Sequence, residues 1–266
     1  MSIINGEIKT DDIESLRKIQ LHLLDTLDSI CKKHNLVYWL DFGTLLGAVR
    51  NGKFIPWDDD VDISMEMDSY NKFLEIAKTE LPKDIFLQTP NTDPEYKQCF
   101  TKLRDNGSTF IELHEEAGMN YHQGIFIDIF PVALYPKMPR IFQKVLMRTT
   151  VRSYGKAFIR KKYPALNFII YYFCKFVWFL LSPFKKVGYG QIPEDNGYMY
   201  AVPLKFLHPL TSIEFEGKNY PAPNNYHGHL EIMYGKNYMT PPPETNRTPH
   251  AKLILPHAPW IRPIIK

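Results

Sequence analysis

The stretch DFGTLLGAVRNGKFIPWDDDVDIS, residues 41–64, decides how this chain is read. It follows an apolar strand pattern, Val37-Tyr38-Trp39-Leu40, which Gly43 breaks. Thr44 is expected to cap a short helix through Val49, and a basic loop follows with Arg50, Gly52 and Lys53. The acidic run Asp58-Asp59-Asp60-Val61-Asp62 then leads into a second strand, Val61 to Met65. Residues two apart in a strand share a face, with Cα atoms about 6.5 Å apart. Asp60 and Asp62 therefore aim together while Val61 and Ile63 face a core. Converging carboxylates repel unless a cation lies between them, and Mg²⁺ or Mn²⁺ suits oxygen ligands. A solvated acidic loop would not explain why the run sits between Trp57 and an apolar strand. A calcium loop is excluded, because its required Gly and Glu are replaced by Ile63 and Ser69.

Outward from this stretch, GIFIDIFP (124–131) embeds Asp128 in a strongly apolar strand. A buried carboxylate needs a cation, and two sources are open: the same metal, or an Arg or Lys partner. Gly43-Thr44 at a helix start offers N–H groups and a hydroxyl to phosphate oxygens. Residues 11–33 read as an amphipathic helix on Ile13, Leu16, Ile19, Leu23, Leu27 and Ile30, with Asp11 or Asp12 at its cap. Asp68 is expected to cap another helix carrying Tyr70, Phe73, Leu74, Ile76 and Ala77. β-favouring runs follow at 85–88, 100–104, 109–113 and 125–130, and Phe215-Glu216-Gly217-Lys218 reads as a turn between strands. Thr240-Pro241-Pro242-Pro243 must be an extended surface segment.

Composition bounds the rest. With 266 residues, 44% of them hydrophobic, the chain can bury a sizeable core. The net charge of +3 hides an asymmetry: residues 129–193 hold 12 Lys/Arg and no acid, leaving 20 Lys/Arg against 29 Asp/Glu elsewhere. Arg140, Lys144, Arg148, Arg152, Lys156 and Arg160 recur every four residues, and ALNFIIYYFCKFVWFLL (165–181) follows with a single Lys. That run admits three readings: a buried core helix or hairpin, an interfacial membrane helix, or a membrane span at the lower length limit. Basic charge interleaved with aromatics suits an anionic membrane surface and argues against nucleic acid. Cys31, Cys99 and Cys174 form no CxxC pair, so neither a disulfide framework nor a cysteine zinc site is expected. No secretory signal pattern opens the sequence, which reads as cytoplasmic and peripheral on the inner face of the membrane.

The order FGTLLG, then Asp-x-Asp on a strand, then a third strand Asp resembles the nucleotidyltransferase fold of the DNA polymerase β type. More narrowly, FGTLLGAVRNGKFIPWDDDVDI with GIFIDIFP resembles the LicD family, which includes phosphocholine transferases and is related to fukutin-like proteins. The likeness continues in KLRDNGSTF (102–110), FEGKNYPAP (215–223) and YGKNYMTPPP (234–243). It implies an α+β fold, a nucleotidyltransferase-like mixed sheet with flanking helices. Residues 1–136 would be the catalytic core, 137–190 a basic and apolar helical insertion, and 191–266 the C-terminal part of the same domain. Asp60 and Asp62 would hold Mg²⁺ or Mn²⁺, with Asp128 as third ligand or base and Asp58 as a further candidate ligand. Gly43 and Thr44 would face the phosphates. Arg50, Lys102 and Arg104 are candidates to neutralise pyrophosphate, and Arg247 and His250 to approach from the C-terminal side. The implied donor is a CDP-activated alcohol and the implied acceptor a lipid-linked glycan of a lipopolysaccharide, teichoic acid or other surface polysaccharide. Phosphocholine is the first choice of transferred group. Glycerol or ribitol phosphate, a small-molecule nucleotidyltransferase and a non-catalytic glycan binder stay open.

Overall fold

In a computed structural model of the chain, the structure describes residues 10–261 except 97, 99, 138, 140–168, 170, 171, 174, 175, 178, 185, 192–198 and 248. The repeating basic stripe expected at 140–160 and two of the cysteines, Cys99 and Cys174, lie outside the described residues.

The architecture is α+β, a curled mixed sheet with helices against it. Helix α1 (Thr10–His34) comes first, then β1 (Tyr38–Leu40), α2 (Phe42–Asn51), β2 (Asp62–Glu66) and α3 (Met67–Glu80). Strands β3 (Ile85–Gln88), β4 (Thr101–Asp105), β5 (Thr109–Glu112) and the long β6 (Phe126–Tyr135) follow. After the sparsely described segment come β7 (Val187–Gln191), β8 (Met199–Pro203), the short α4 (Leu204–Leu207), β9 (Thr211–Phe215), β10 (Lys218–Ala222), α5 (Tyr226–Tyr234) and β11 (Ala251–Leu255).

Strand order in the main sheet is β1-β2-β6-β4-β3, with β7 joined to β6 and β8 to β7. The β2–β6 pair is parallel and the others antiparallel. Strand β6 is central because its two halves serve different neighbours. Residues 126–129 pair with β4, whereas 133–135 pair with β7. Pro131, which has no N–H to give, falls in the gap between these two ladders. Strand β7 belongs to the sheet although it begins within the segment read as a helical insertion.

Helix α1 buries Leu16, Leu23, Leu24, Leu27, Ile30 and Cys31, the stripe its spacing predicts. Its polar side also works inward. Arg17 Nη2 donates to the carbonyls of Ile55 and Pro56, 3.2 Å each, and Gln20 Nε2 donates to the Asp59 carbonyl at 2.7 Å. The helix thus supports the acidic loop from below. The β9–β10 hairpin turns through Glu216 (φ 50°) and Gly217 (φ 77°), both left-handed as a two-residue turn demands. The turn docks on the loop after α2, since Glu216 Oε1 accepts from Phe54 N at 3.0 Å.

Two expected caps are corrected, besides that of α1, which is already helical at Thr10, ahead of Asp11 and Asp12. Helix α2 starts at Phe42, not after Thr44, and Asp41 is its N-cap. Helix α3 starts at Met67 and is preceded by Glu66, with no side-chain cap; Asp68 lies in its first turn. In the first case Asp41 outcompetes Thr44 because its carboxylate accepts from Phe42 N (2.9 Å), while Thr44 is turned to the sheet.

Of the 165–181 run, Ile169, Phe173, Phe176 and Phe179 are helical and 59–74% exposed, which sets aside a buried core helix for those residues. Among the described residues, no helix is long and apolar enough to cross a membrane.

Candidate active site

Three neighbouring strands lay three ionisable groups in one row. Asp62 on β2 is in register with Asp128 on β6, and Asp128 with Lys102 on β4. Register partners point to the same face, so the row is a property of strand pairing rather than of loop conformation. All three side chains are buried. Lys102 Nζ lies 3.0 Å from Asp128 Oδ1, 3.2 Å from Glu112 Oε1 and 3.3 Å from the centroid of the Phe126 ring. The buried cation that Asp128 called for is therefore present in the chain. It is not sufficient: burial outweighs Lys102 and raises the Asp128 carboxyl to about 7. Asp128 Oδ1 also accepts no hydrogen bond, despite the nearby ammonium. Glu112 goes the other way, because Lys102 and Arg104 overcome its burial and hold it down at about 2.

The acidic run crosses the end of this row. Burial, then the charges of Asp60, Asp128 and Asp58, push Asp62 well above its ordinary value, and Asp58 is raised by burial and by Asp60. Asp58, Asp60 and His250 bring ligand atoms within 4.8 Å of one another. His250 Nδ1 stands 3.1 Å from Asp59 and 3.3 Å from Asp60, and these contacts push the imidazole up to about 12. Asp59 differs from its neighbours. It is buried and accepts from the backbone N–H groups of His250 (3.1 Å) and Ala251 (2.7 Å), so it fastens the start of β11 to the loop. Buried carboxylates held above their ordinary range and an Asp128 oxygen with no hydrogen bond make an oxygen set that fits a hard divalent cation such as Mg²⁺ or Mn²⁺, with the His250 imidazolium as a counter-charge beside it.

The turn at 43–44 meets the run directly. A Cβ on Gly43 would stand 2.4 Å from Asp58 Oδ2, so only glycine lets the carboxylate pass. Thr44 Oγ1 accepts from Asp62 N at 2.8 Å, locking the start of β2 to α2. The candidate cations divide by location. Arg247 stacks over Trp57, 4.3 Å from its ring centroid, beside the acidic run, and donates to the Pro242 carbonyl at 3.0 Å. Arg50 Nη2 donates to the carbonyls of Tyr238 and Thr240 in the C-terminal loop. Arg104 is fully buried, with Nε on Gln88 Oε1 and Nη1 on the Gly124 carbonyl at 2.7 Å. The structure thus gathers Gly43, Thr44, Asp58, Asp60, Asp62, Asp128, Lys102 and His250 at one end of the sheet, with Arg247 at its margin. Arg50 and Arg104 are engaged elsewhere.

Behind the turn lies a group that the sequence did not disclose. Asp41 is fully buried and accepts from Ser64 Oγ (2.6 Å), Tyr200 OH (2.7 Å), His229 Nε2 (2.7 Å) and Trp39 Nε1 (3.2 Å), besides Phe42 N. Burial works against its ionisation, yet His229, Ser64 and Tyr200 hold it below its ordinary value. Phe42, next to it, has φ 45°, a left-handed conformation that a bulky residue adopts at a cost of about 1–3 kcal/mol. The Phe130 and Tyr200 rings, 5.0 and 5.5 Å away, help to hold it there.

Comparison with known proteins agrees with this geometry. The family model described as "LicD/FKTN/FKRP, nucleotidyltransferase domain" matches residues 35–169. The chain is 28% identical over 262 residues to "Lipopolysaccharide cholinephosphotransferase LicD" of Haemophilus influenzae, covering 86% of this chain and 92% of that protein. It is 22% identical over 234 residues to "Ribitol 5-phosphate transferase FKRP" of Mus musculus, covering 88% of this chain but 34% of that longer protein. With half of its length matched, this chain belongs to the LicD/FKTN/FKRP family and is a LicD-like phosphotransferase.

Proposed function

We propose that the protein transfers a phosphoalcohol, phosphocholine first among them, from a CDP-activated donor to a sugar of a surface glycan. The observation that carries this reading is the row Asp62–Asp128–Lys102 with Asp58, Asp60 and His250 at its end. The cholinephosphotransferase relative, matched along nearly its whole length, supports choline as the alcohol. The ribitol-phosphate transferase relative keeps a polyol donor as the second reading. Asp62 at the start of β2, two residues after Asp60 and beside the parallel strand that bears Asp128, also fits a nucleotidyltransferase-like core.

Asp60, Asp62 and Asp128, with Asp58 beside them, would hold Mg²⁺ or Mn²⁺. Such an ion supplies charge stabilisation to the pyrophosphate and the transferring phosphoryl group. The residues of the chain do the rest. The acceptor hydroxyl oxygen forms a bond to the phosphorus that bears the alcohol, and the bond from that phosphorus to the CMP oxygen breaks. Lys102 and Arg247 offset the negative charge spread over the phosphoryl oxygens. Where Asp128 is not committed to the ion, it is the carboxylate suited to receive the hydroxyl proton. The Gly43 turn brings the N-terminal end of α2, with its N–H groups, to the phosphates.

The exposed aromatic residues at 169–180, flanked in sequence by basic residues and no acids, suit contact with an anionic membrane that carries a lipid-linked acceptor. The test is CMP release by the purified full chain with Mg²⁺ and CDP-choline, CDP-ethanolamine, CDP-glycerol or CDP-ribitol, with and without lipid-linked acceptor. CMP released faster with CDP-choline than with the other donors is the expected result. Pyrophosphate as product, or no turnover with any donor, overturns the reading.

A further inference from the structure

We propose that a cavity adjoining the Lys102–Asp128 pair is the site for a quaternary ammonium headgroup of the transferred alcohol. This rests on the phosphotransferase reading and adds to it the place where the alcohol is recognised.

The cavity has a volume of about 450 Å³, within the range of sites for small ligands. Tyr96, Met119, Tyr121, Glu95, Glu112 and Glu115 line it, and none of its described lining residues is Lys or Arg. Three carboxylates, two phenol rings and a thioether make a negative, polarisable wall, the environment in which a desolvated organic cation is held by field and ring faces. Glu112 joins the cavity to the reaction centre, since its Oε1 contacts the same Lys102 ammonium that contacts Asp128. In a phosphocholine unit two methylene groups separate the nitrogen from the ester oxygen. A phosphate on the Lys102 side therefore puts the ammonium toward Glu112 and Tyr121.

Glu112, His114 and Glu115 also bring ligand atoms within 4.8 Å of one another, but a small metal ion is a poor occupant. Glu112 Oε1 is occupied by Lys102, while Glu115 accepts from Tyr121 OH at 2.7 Å and from Gln123 Nε2 at 3.1 Å. A hard ion would have to displace these partners to claim the oxygens. An organic cation leaves them in place. Gln98 and Asn120 add amides to the wall, so a polyol phosphate is the comparison that matters.

The experiment is calorimetric titration of the full chain with phosphocholine, tetramethylammonium chloride, glycerol 3-phosphate and MnCl₂. It is repeated on Tyr121→Leu, Tyr121→Phe and Glu95→Gln, each checked for wild-type circular dichroism. Phosphocholine and tetramethylammonium should compete for one site that glycerol 3-phosphate does not enter. Tyr121→Leu should weaken both by roughly tenfold, and Tyr121→Phe, which keeps the ring, should bind as wild type. Glu95→Gln, on the exposed rim, should weaken binding several-fold and keeps the test open if Tyr121→Leu does not fold. Equal binding of glycerol 3-phosphate, displacement of tetramethylammonium by Mn²⁺ at this site, or affinities unmoved by every folded variant would overturn the proposal.

CMP-release kinetics separate its failure from that of the wider reading. A Tyr121→Leu enzyme whose KM rises about tenfold for CDP-choline but not for CDP-ribitol supports the site. Turnover with equal KM changes for both donors removes the headgroup site and leaves the transferase. Tetramethylammonium binding that depends on Tyr121, in a protein inert toward every CDP-alcohol, upholds the cation site and removes the transferase reading.

Discussion

Replacing His229 by Leu tests whether the Asp41 network holds the start of α2 in place. Asp41 has no solvent contact and accepts from five donors, of which His229 is the one able to carry a charge. In His229→Leu four donors remain, but the carboxylate is left in the interior without its imidazole partner. Breaking a buried pair from one side costs about 3–5 kcal/mol, which lowers the Tm of a chain this size by on the order of 10 °C. The pH dependence has a definite sign. Asp41 is held below its ordinary value of 3.8, so between the folded and unfolded values the unfolded state binds more protons. Its stabilisation is complete above about pH 4 and is lost as pH falls further, toward the folded value. Thermal melts followed by circular dichroism at pH 7 and at intervals down to pH 3 read both effects. In His229→Leu the midpoint should fall at pH 7, and the gap to wild type should narrow as pH falls, because protonation relieves a stranded carboxylate that burial alone pushes up. Adding Asp41→Asn removes the stranded charge, so the double variant should be more stable than the sum of the two single losses predicts. A shift below about 2 °C at pH 7, or strictly additive losses, would refute the reasoning.

Four further outcomes follow from the site. Mg²⁺ or Mn²⁺ should raise the melting temperature of the wild type; Asp62→Asn should abolish that shift and cut CMP release by roughly a hundredfold or more. The metal-free Asp62→Asn protein, relieved of one member of a repelling cluster, should melt no lower than wild type. Lys102→Met strands Asp128 and Glu112 together and should cost about 3–5 kcal/mol in urea denaturation. Gly43→Ala puts a methyl 2.4 Å from Asp58 Oδ2 and should slow CMP release severely, with stability reduced by no more than about 1–2 kcal/mol. Flotation with anionic liposomes should recover the full chain at low salt and lose it at high salt, whereas equal recovery on neutral liposomes would exclude electrostatic attachment.

Local patterns were readable wherever one element carried its own signal. The stripe of α1 follows the helical period, and the Glu216-Gly217 turn follows from the need for two left-handed residues. The alternation around Asp60-Val61-Asp62 placed Val61 and Ile63 in the core, where both are fully buried. Pairing between strands is a different matter. Nothing in a one-dimensional string says that β2 lies parallel to β6, or that Asp62 and not Asp60 is level with Asp128. That Lys102 is the partner of Asp128 depends on that register; the sequence by itself admits any Arg or Lys, or the metal. Asp41 offered a signal, since Asp is at least as good an N-cap as Thr. It was hidden because Gly43 looked like the place where the strand ended. The headgroup cavity had no signal at all: Tyr96, Glu112 and Tyr121 share no periodicity and meet only after β4, β5 and the loop before β6 have folded.

Besides Arg17 and Gln20 of α1, what keeps the acidic run in place comes from far along the chain. The family match ends at residue 169, yet the groups that fix the motif come from beyond it. Tyr200 and His229 clamp Asp41, the backbone of His250 and Ala251 binds Asp59, and the Tyr238 and Thr240 carbonyls take Arg50 at the far end of α2. Each contact closes a loop of more than 150 residues, and the entropy of doing so is repaid only if several form together. The repelling carboxylates make this necessary. Asp58, Asp60 and Asp62 would drive one another apart in a loosely held loop, so the site proposed to take a divalent ion needs an outer frame to hold its charges close beforehand. The C-terminal part therefore supplies rigidity to a motif that supplies the chemistry, and neither half would make a site alone.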